Sequence, residues 1–467
     1  MDHIAEFGRL IGTANVVTGA DLERYSHDWM RTYSGVPTCV VKPASTGEVS
    51  AVMGYAYTEG LAVVPIAGNT GLNGAAIADG QVMISLERMN KIREIRTEAR
   101  VVVVEPGVFL TNLHQAVEAL GLLFPLYFGA RGSAMVGGVL STNAGGSNVL
   151  RYGSTRQLCL GLEVVLPDGR VMNLMSELHK DNSGYDLKDL FIGAEGTLGI
   201  ITGAVFRLFE KPKAYATALI AMDRLDPALG LLNRLKSETG GAVEAFEYMP
   251  QNHMARLKVV KPELTPPLGY DHPVNILVEV GATSARDAEP DAEGRVPVQA
   301  QLESLLAEMA ERGEITDAVL AQSEQQRRVM WAMREAAAEL MHGLMRVDND
   351  ICVPLDKVTV FLERAEAELP RIDSGVDYLT VCHLGDGNLH FGVLPSSQDP
   401  AVHDAIREKV EEIVLSLGGS FSAEHGIGLY KLNSMRRRKD PVALDVMRAI
   451  KSALDPKGLM NPGKVLP

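Results

Sequence analysis

The order of strands and helices along the chain predicts an α/β or α+β protein of more than one domain. Three observations carry this. The first 120 residues alternate strand-like and helix-like runs in a β-α-β-β-α order. Three glycine-rich stretches, at 68–74, 129–148 and 193–199, punctuate the first 200 residues. After the Lys-Pro-Lys of 211–213 the pattern shifts to long apolar strands separated by helices. At roughly 100–200 residues per domain, 467 residues fit two or three domains. Hydrophobic content of 46% with 22% charged residues is that of a folded chain, not a disordered one.

Taken in order, residues 1–35 read as helical, with 21–30 as an amphipathic piece. A short strand follows at 36–43, then a helix over 45–59 with Ser45 or Thr46 as N-cap. Strands are expected at 61–66, 80–86 and 101–105, and a helix at 112–120. Residues 161–170 form a strand ending in an Asp-Gly turn, and 204–209 another. Beyond 213 the expectations are strands at 215–222 and 274–280, helices at 227–237, 298–312 and 316–344, and an acidic loop over 284–296. A strand at 351–354, helices at 355–369, 401–417 and 443–453, and a tail close the chain. The domains are expected at 1–212, 213–420 and 421–467.

The net charge of −14 argues against nucleic acid or an anionic membrane as partner. None of the four cysteines forms a Cys-x-x-Cys pair, no run approaches the length needed to span a bilayer, and the N-terminus lacks the pattern of a signal peptide. A soluble cytoplasmic protein is the expectation.

Two features could carry chemistry. Residues 382–391, Cys-His-Leu-Gly-Asp-Gly-Asn-Leu-His-Phe, read as a hairpin around a Gly-Asp-Gly-Asn turn. If the loop spans four residues between Leu384 and Leu389, His383 and His390 become directly opposed, with Cβ atoms about 5 Å apart, and can share one metal ion. The hairpin alone reads equally well as two ordinary histidines; Glu424-His425 downstream adds a carboxylate and a third histidine. The second feature is Gly68-Asn-Thr-Gly-Leu-Asn-Gly74 after a strand, which suits an anion pocket built from backbone N–H groups. It is neither a Walker A loop nor a Gly-x-Gly-x-x-Gly fingerprint. Together with 129–148, where six of twenty residues are glycine, and 193–199, it suggests a large cofactor wrapped by several loops.

These motifs, with Arg151-Tyr-Gly-Ser154 and Met460-Asn-Pro-Gly-Lys464, resemble the vanillyl-alcohol oxidase / p-cresol methylhydroxylase superfamily of FAD proteins. The branch is that of D-lactate, glycolate and D-2-hydroxyglutarate dehydrogenases, and the resemblance covers nearly the whole chain. It implies an α+β protein: an FAD-binding domain of two α/β subdomains, an antiparallel-sheet cap domain with helices, and a C-terminal segment returning to the flavin. It implies that Pro65, Gly68, Asn69, Thr70, Gly71, Leu72 and Gly74 surround the pyrophosphate of a non-covalent FAD. Ser133, Gly137, Gly138, Asn143 and Gly146 would wrap the flavin. Glu195, Gly196 and Ile200 would complete the adenine and ribose side, and Asn461 would approach from the tail.

The same resemblance places metal ligands at His383, His390 and Glu424, with Zn2+ first and Mn2+ second. It places the base at His425 and a substrate-carboxylate clamp at Arg334; Asn388 either holds the turn or touches substrate. The implied reaction is oxidation of a D-2-hydroxy acid, D-2-hydroxyglutarate or D-lactate, with electrons passed to an electron-transfer flavoprotein or quinone; a homodimer is one expectation. One departure stands out: Asp348 occupies a position where D-2-hydroxyglutarate dehydrogenases typically carry a lysine for the second carboxylate. Either Arg346 or another cation substitutes, or the substrate tail is apolar or short. The competing readings are a metal-dependent hydrolase and a non-catalytic FAD subunit of a larger oxidase.

Overall fold

The computed structural model describes residues 2–467 and divides them into two compact units. The first takes the chain up to Gly145, then Gly153–Glu210 and Glu424–Pro467; the second takes Gly146–Tyr152 and Lys211–Ala423.

In the first unit, Cys39–Val41, Val82–Ser85 and Val63–Ile66 form a parallel sheet, with Val16–Val17 antiparallel at one edge. These short valine- and isoleucine-rich runs are buried on both faces, which is why they show no polar alternation. Helix Thr46–Glu59 begins where expected, because Ser45 accepts the Glu48 N–H, and ends at Gly60 in the left-handed region. A second, antiparallel sheet runs in the order Ile92–Arg96, Val101–Val104, Ile200–Arg207, Cys159–Val165, Val171–Leu174. Its two outer strands carry charged or exposed side chains, and the sequence reading missed both. The segment 1–35 is helical only over His3–Ile11. Gly12, at φ 87°, breaks the helix, and a 3-10 stretch, Gly19–Tyr25, follows.

The C-terminal segment of this unit is sewn onto the parallel sheet. Val63 donates to the Leu459 carbonyl, Asn461 donates to the Val63 carbonyl, and Lys451 Nζ reaches the Thr197 and Met460 carbonyls.

The second unit is built on a seven-stranded antiparallel sheet. Its order is Asp317–Leu320, Ala214–Met222, Val274–Ala282, Val243–Pro250, Asp377–His383, Asn388–Leu394, Val347–Cys352. Helices Ala228–Glu238, Pro297–Glu311, Val358–Glu368 and Pro400–Ser416 cover one face through Leu231, Leu302, Phe361 and Val410, packed on Phe246, Ile276 and Val278. The opposite face is apolar where Gln251–Val260 and Glu324–Glu335 pack against it through Met254, Leu257 and Met333. Elsewhere it carries polar residues.

The single helix expected over 316–344 does not form. Asp317–Leu320 pairs with Ala218–Ala221 as an edge strand, and the helix starts at Glu324, where Ser323 accepts the Gln326 N–H. An open sheet edge captured the β-branched stretch, and the N-cap fixed the restart.

Two buried histidines set an acid limit on this fold. His114, stacked on Tyr127 with Nε2 unpartnered, and His253 are each driven by burial from 6.5 down to about 4. As pH falls the unfolded chain is protonated first, so their contribution is complete above about pH 6.5 and lost toward pH 4. Each histidine should add up to about 1.4 kcal/mol per pH unit to the loss of stability. Urea midpoints measured between pH 7.5 and 4.5 should therefore fall steadily, and the slope should flatten in His253→Gln.

Candidate active site

The polar face of the second sheet gathers several of the expected residues. Helix Glu324–Glu335 presents Arg334 to it, and the guanidinium is 7% exposed. Arg334 Nε donates to Glu247 Oε2 at 2.7 Å, and its Nη2 lies 3.4 Å from both ring nitrogens of His383. His383 Nδ1 stands 2.9 Å from Glu247 Oε1. Glu247 is 1% exposed, and burial pushes its carboxyl up; the charges of His383 and Arg334 outweigh that and hold it down at about 2. The carboxylate is thus ionised and can only accept, so His383 Nδ1 donates to it. A carboxylate orienting an imidazole in this way is the usual support of a metal-binding histidine.

His390 is not directly opposed to His383. The register pairs His383 with Asn388 and Val381 with His390, so the two histidines are diagonal neighbours on one face, with ring centroids 5.3 Å apart. The loop is Leu384–Gly387, one residue earlier than expected. The His383 carbonyl accepts from Asp386 and Gly387, and Gly387 takes φ 79° to close the turn. Side-chain parity is preserved, so the imidazoles still face each other. Asn388 Nδ2 donates to Asp350 Oδ1 and to the Ile351 carbonyl, while its buried Oδ1 has no protein partner. Asp350 lies opposite His390, at 4.0 Å, too far for a hydrogen bond.

In the first unit, Gly68–Gly74 forms a loop at the end of the Val63–Ile66 strand. Among the described residues, no carbonyl or side chain accepts from the N–H groups of residues 68–73. Such a run of unpaired donors is a ready anion cradle. A cleft of about 950 Å³ opens onto Gly68 and Asn69, with Arg24, His27, Trp29 and Lys42 among its walls. Gly68 is in close contact with the next expected segment: a Cβ there would lie 2.4 Å from the Ser133 carbonyl. Gly137 and Gly138 open helix Val136–Thr142, and Asn143 ends it in the left-handed region, its Oδ1 accepting from Ser154 Oγ and Arg156 N. Ile200 starts its strand, Gly146 begins the short excursion into the second unit, and Thr70, Gly71 and Leu72 lie in the loop. Pro65 packs on Gly196.

Glu195 takes a part that the sequence did not suggest. Its carboxylate accepts from Asn73 Nδ2 at 2.9 Å, Ile427 N at 2.7 Å and Gly428 N at 2.9 Å, and Asn73 Nδ2 also reaches the His425 carbonyl. The Glu195 backbone is engaged as well: the N–H donates to the Ser141 carbonyl and the carbonyl accepts from Asn461 Nδ2. Asn461 Oδ1 is buried and unpartnered, an acceptor aimed at nothing in the protein. The loop donors and this orphan acceptor fit a polar cofactor.

Glu247, Asp350 and Asn73 are the functional neighbours that sequence reading missed. The available signal was an acid inside an apolar strand: Glu247 interrupts Val-Glu-Ala-Phe-Glu-Tyr-Met, and Asp350 precedes Ile-Cys-Val.

The chain also matches known protein families. Residues 37–175 match the FAD binding domain family, and residues 211–465 match the family of FAD linked oxidases, C-terminal domain. The chain belongs to the FAD-linked oxidase family, and is an FAD-dependent oxidoreductase. Its relatives include the D-2-hydroxyglutarate dehydrogenase of Stutzerimonas stutzeri, 34% identical over 99% of this chain and 98% of that protein. The mitochondrial D-2-hydroxyglutarate dehydrogenase of Bos taurus is 36% identical over 100% of this chain and 84% of its own length. Among solved structures, substrate-bound p-cresol methylhydroxylase aligns with a TM-score of 0.74 at 17% identity, over 99% of this chain and 96% of that one. That likeness shows the fold.

Replacing Glu247 by glutamine should leave Arg334 buried without its counter-charge, at a cost of roughly 3–5 kcal/mol. Urea unfolding of Glu247→Gln, compared with a substitution at the exposed Glu263, checks the outcome.

Proposed function

We propose that this chain oxidises the C2 hydroxyl of a D-2-hydroxy acid to the 2-oxo acid, with D-2-hydroxyglutarate and D-lactate as the leading substrates. The observation that carries the reading is Arg334, fixed through Nε by Glu247 and through Nη2 against the His383 ring, with Nη1 left to reach a carboxylate. Relatives named D-2-hydroxyglutarate dehydrogenase over their full length support the substrate class.

In this reading FAD is held non-covalently by residues 68–74, by the Ser133–Gly146 stretch and by Asn461, since no histidine stands in the first loop to bond it. Bound there, FAD supplies the acceptor for the two electrons and the hydrogen leaving C2. His383 and His390, with Glu424 from the sequence argument, would hold a divalent ion, Zn2+ first, which would supply Lewis acidity at the hydroxyl. The rest falls to the protein's own side chains. Arg334 fixes the carboxylate end, and so which enantiomer presents its C2 hydrogen. His425 takes the hydroxyl proton as the base. Asn388 Oδ1, buried and unpartnered, is available as an acceptor.

No helix is long and apolar enough to cross a membrane. Electrons are expected to pass to a separate acceptor, an electron-transfer flavoprotein or quinone; cytoplasmic location and a homodimer remain part of this proposal.

Anaerobic mixing of the yellow holoenzyme with D-2-hydroxy acids should bleach the flavin absorbance, while L-enantiomers should not. Loss of bleaching on chelation, restored by Zn2+, is expected; bleaching that survives complete metal removal sinks the metal assignment. Arg334→Ala should lower kcat/KM by about 100-fold, the worth of a charge-assisted pair. Unchanged turnover would remove Arg334 from the site.

A further inference from the structure

The glycine loop of residues 68–74 and the segment that carries Glu424 and His425 meet at one side chain. Asn73 is 2% exposed, and each polar atom of its side chain is engaged. Nδ2 donates to Glu195 Oε2 at 2.9 Å and to the His425 carbonyl at 2.7 Å, and Oδ1 accepts from Ala75 N at 3.1 Å. The Asn73 carbonyl accepts from Leu429 N at 2.8 Å and Tyr430 N at 3.2 Å. Glu195 completes the grip by accepting from Ile427 N and Gly428 N. One residue of the loop, with a buried carboxylate behind it, thus holds the backbone from 425 to 430.

The packing leaves no slack. A Cβ at Gly426 would lie 2.7 Å from Glu195 Oε1 and 3.0 Å from Asn73 Nδ2, and one at Gly428 would lie 2.2 Å from the Asn73 carbonyl. Backbone packed this closely cannot stay in place when Asn73 moves. On its other side, Asn73 is the last residue of the run 68–73, whose N–H groups have no acceptor among the described residues. An anion seated there gives those donors a fixed partner and removes the freedom of the loop, Asn73 included.

We propose that Asn73 is a positioning residue that couples cofactor binding to the base. Cofactor held at the glycine loop fixes Asn73, and Asn73 fixes the Glu424-His425 segment, so His425 takes its working position only in the loaded enzyme. This deepens the reading of function above and rests on its assignment of His425. An apolar side chain at 73 would leave the His425 carbonyl without this donor and Glu195 with two of its three.

The test is amide hydrogen exchange of the full chain, without cofactor and loaded with FAD. In the wild type FAD should slow exchange over residues 425–430 by about tenfold, a coupling of ordinary size. Asn73→Ala and the isosteric Asn73→Asp, which lacks the donor, should still bind FAD through backbone N–H groups and keep the 133–146 stretch protected. Both should lose the slowing over 425–430. Their rate of flavin reduction at saturating D-2-hydroxy acid should fall at least about tenfold, with KM within about twofold, because the Arg334 clamp is untouched. Exchange over 425–430 that is indifferent to FAD in the wild type overturns the coupling, whether or not a variant folds. So does slowing that persists in both variants, or a reduction rate unmoved in both. Reduction of the wild type by no D-2-hydroxy acid overturns the reaction class and the role given to His425, whatever the exchange shows.

Discussion

The carboxylate of Glu247 sits almost wholly out of water between a guanidinium and an imidazole, and the polar face of the large sheet is organised around it. A lone carboxylate there would be protonated or would unfold its surroundings, since removing an ion from water costs several kcal/mol even after relaxation. Two cationic partners hold it ionised instead. In return it fixes the side-chain torsions of Arg334 and the ring orientation of His383, the two properties a carboxylate clamp and a metal-binding imidazole need. The same device recurs on the same strand and its neighbour. Glu279 is gripped by Arg327 through both oxygens and also accepts from Trp331 and Thr217; Glu244, at a bulge, is bonded by Arg151 and Tyr152. Only the Glu247 pair adjoins a histidine, and only there does the ion pair touch residues expected in catalysis.

Glu195 does comparable work in the first unit with neutral donors. Burial pushes its carboxyl up, and backbone N–H groups of Ile427 and Gly428 with the Asn73 amide pull in the opposite sense. The backbone must come very close: a Cβ at Gly428 would lie 2.2 Å from the Asn73 carbonyl, and its φ of 51° also favours glycine. This explains Glu-His-Gly-Ile-Gly as a motif. Its glycines let residues 424–428 close over Glu195 and Asn73, and this closure places the His425 backbone.

Much of the architecture was legible in the sequence because it depends on local rules. Ser45 caps its helix, Gly60 ends it, and runs such as Val-Val-Val-Val at 101–104 have few alternatives to a buried strand. The helix expected over 316–344 failed because strand or helix there depended on a sheet edge supplied by Ala218–Ala221, a hundred residues earlier. Likewise, the loop 384–387 differs by one residue from the sequence expectation. Two glycines permit either closure, and the choice was made by Gly387 and by the pairing of Val347–Cys352 on the far side of the hairpin.

By itself the sequence determined the inventory: a donor-rich glycine loop, two histidines sharing a face, an arginine on a helix, a carboxylate–histidine pair downstream, and an acid at 348. These follow from residue type and short-range spacing. The tertiary structure decided which charges cancel. Glu247 lies 87 residues from Arg334 and 136 from His383, so no local pattern could join them. Glu195 meets Ile427 across 232 residues. Whether Arg346 was a free cation or already held by Asp348 was likewise open until side-chain positions were known. Charge pairing depends on distance and burial, which the chain acquires only on folding.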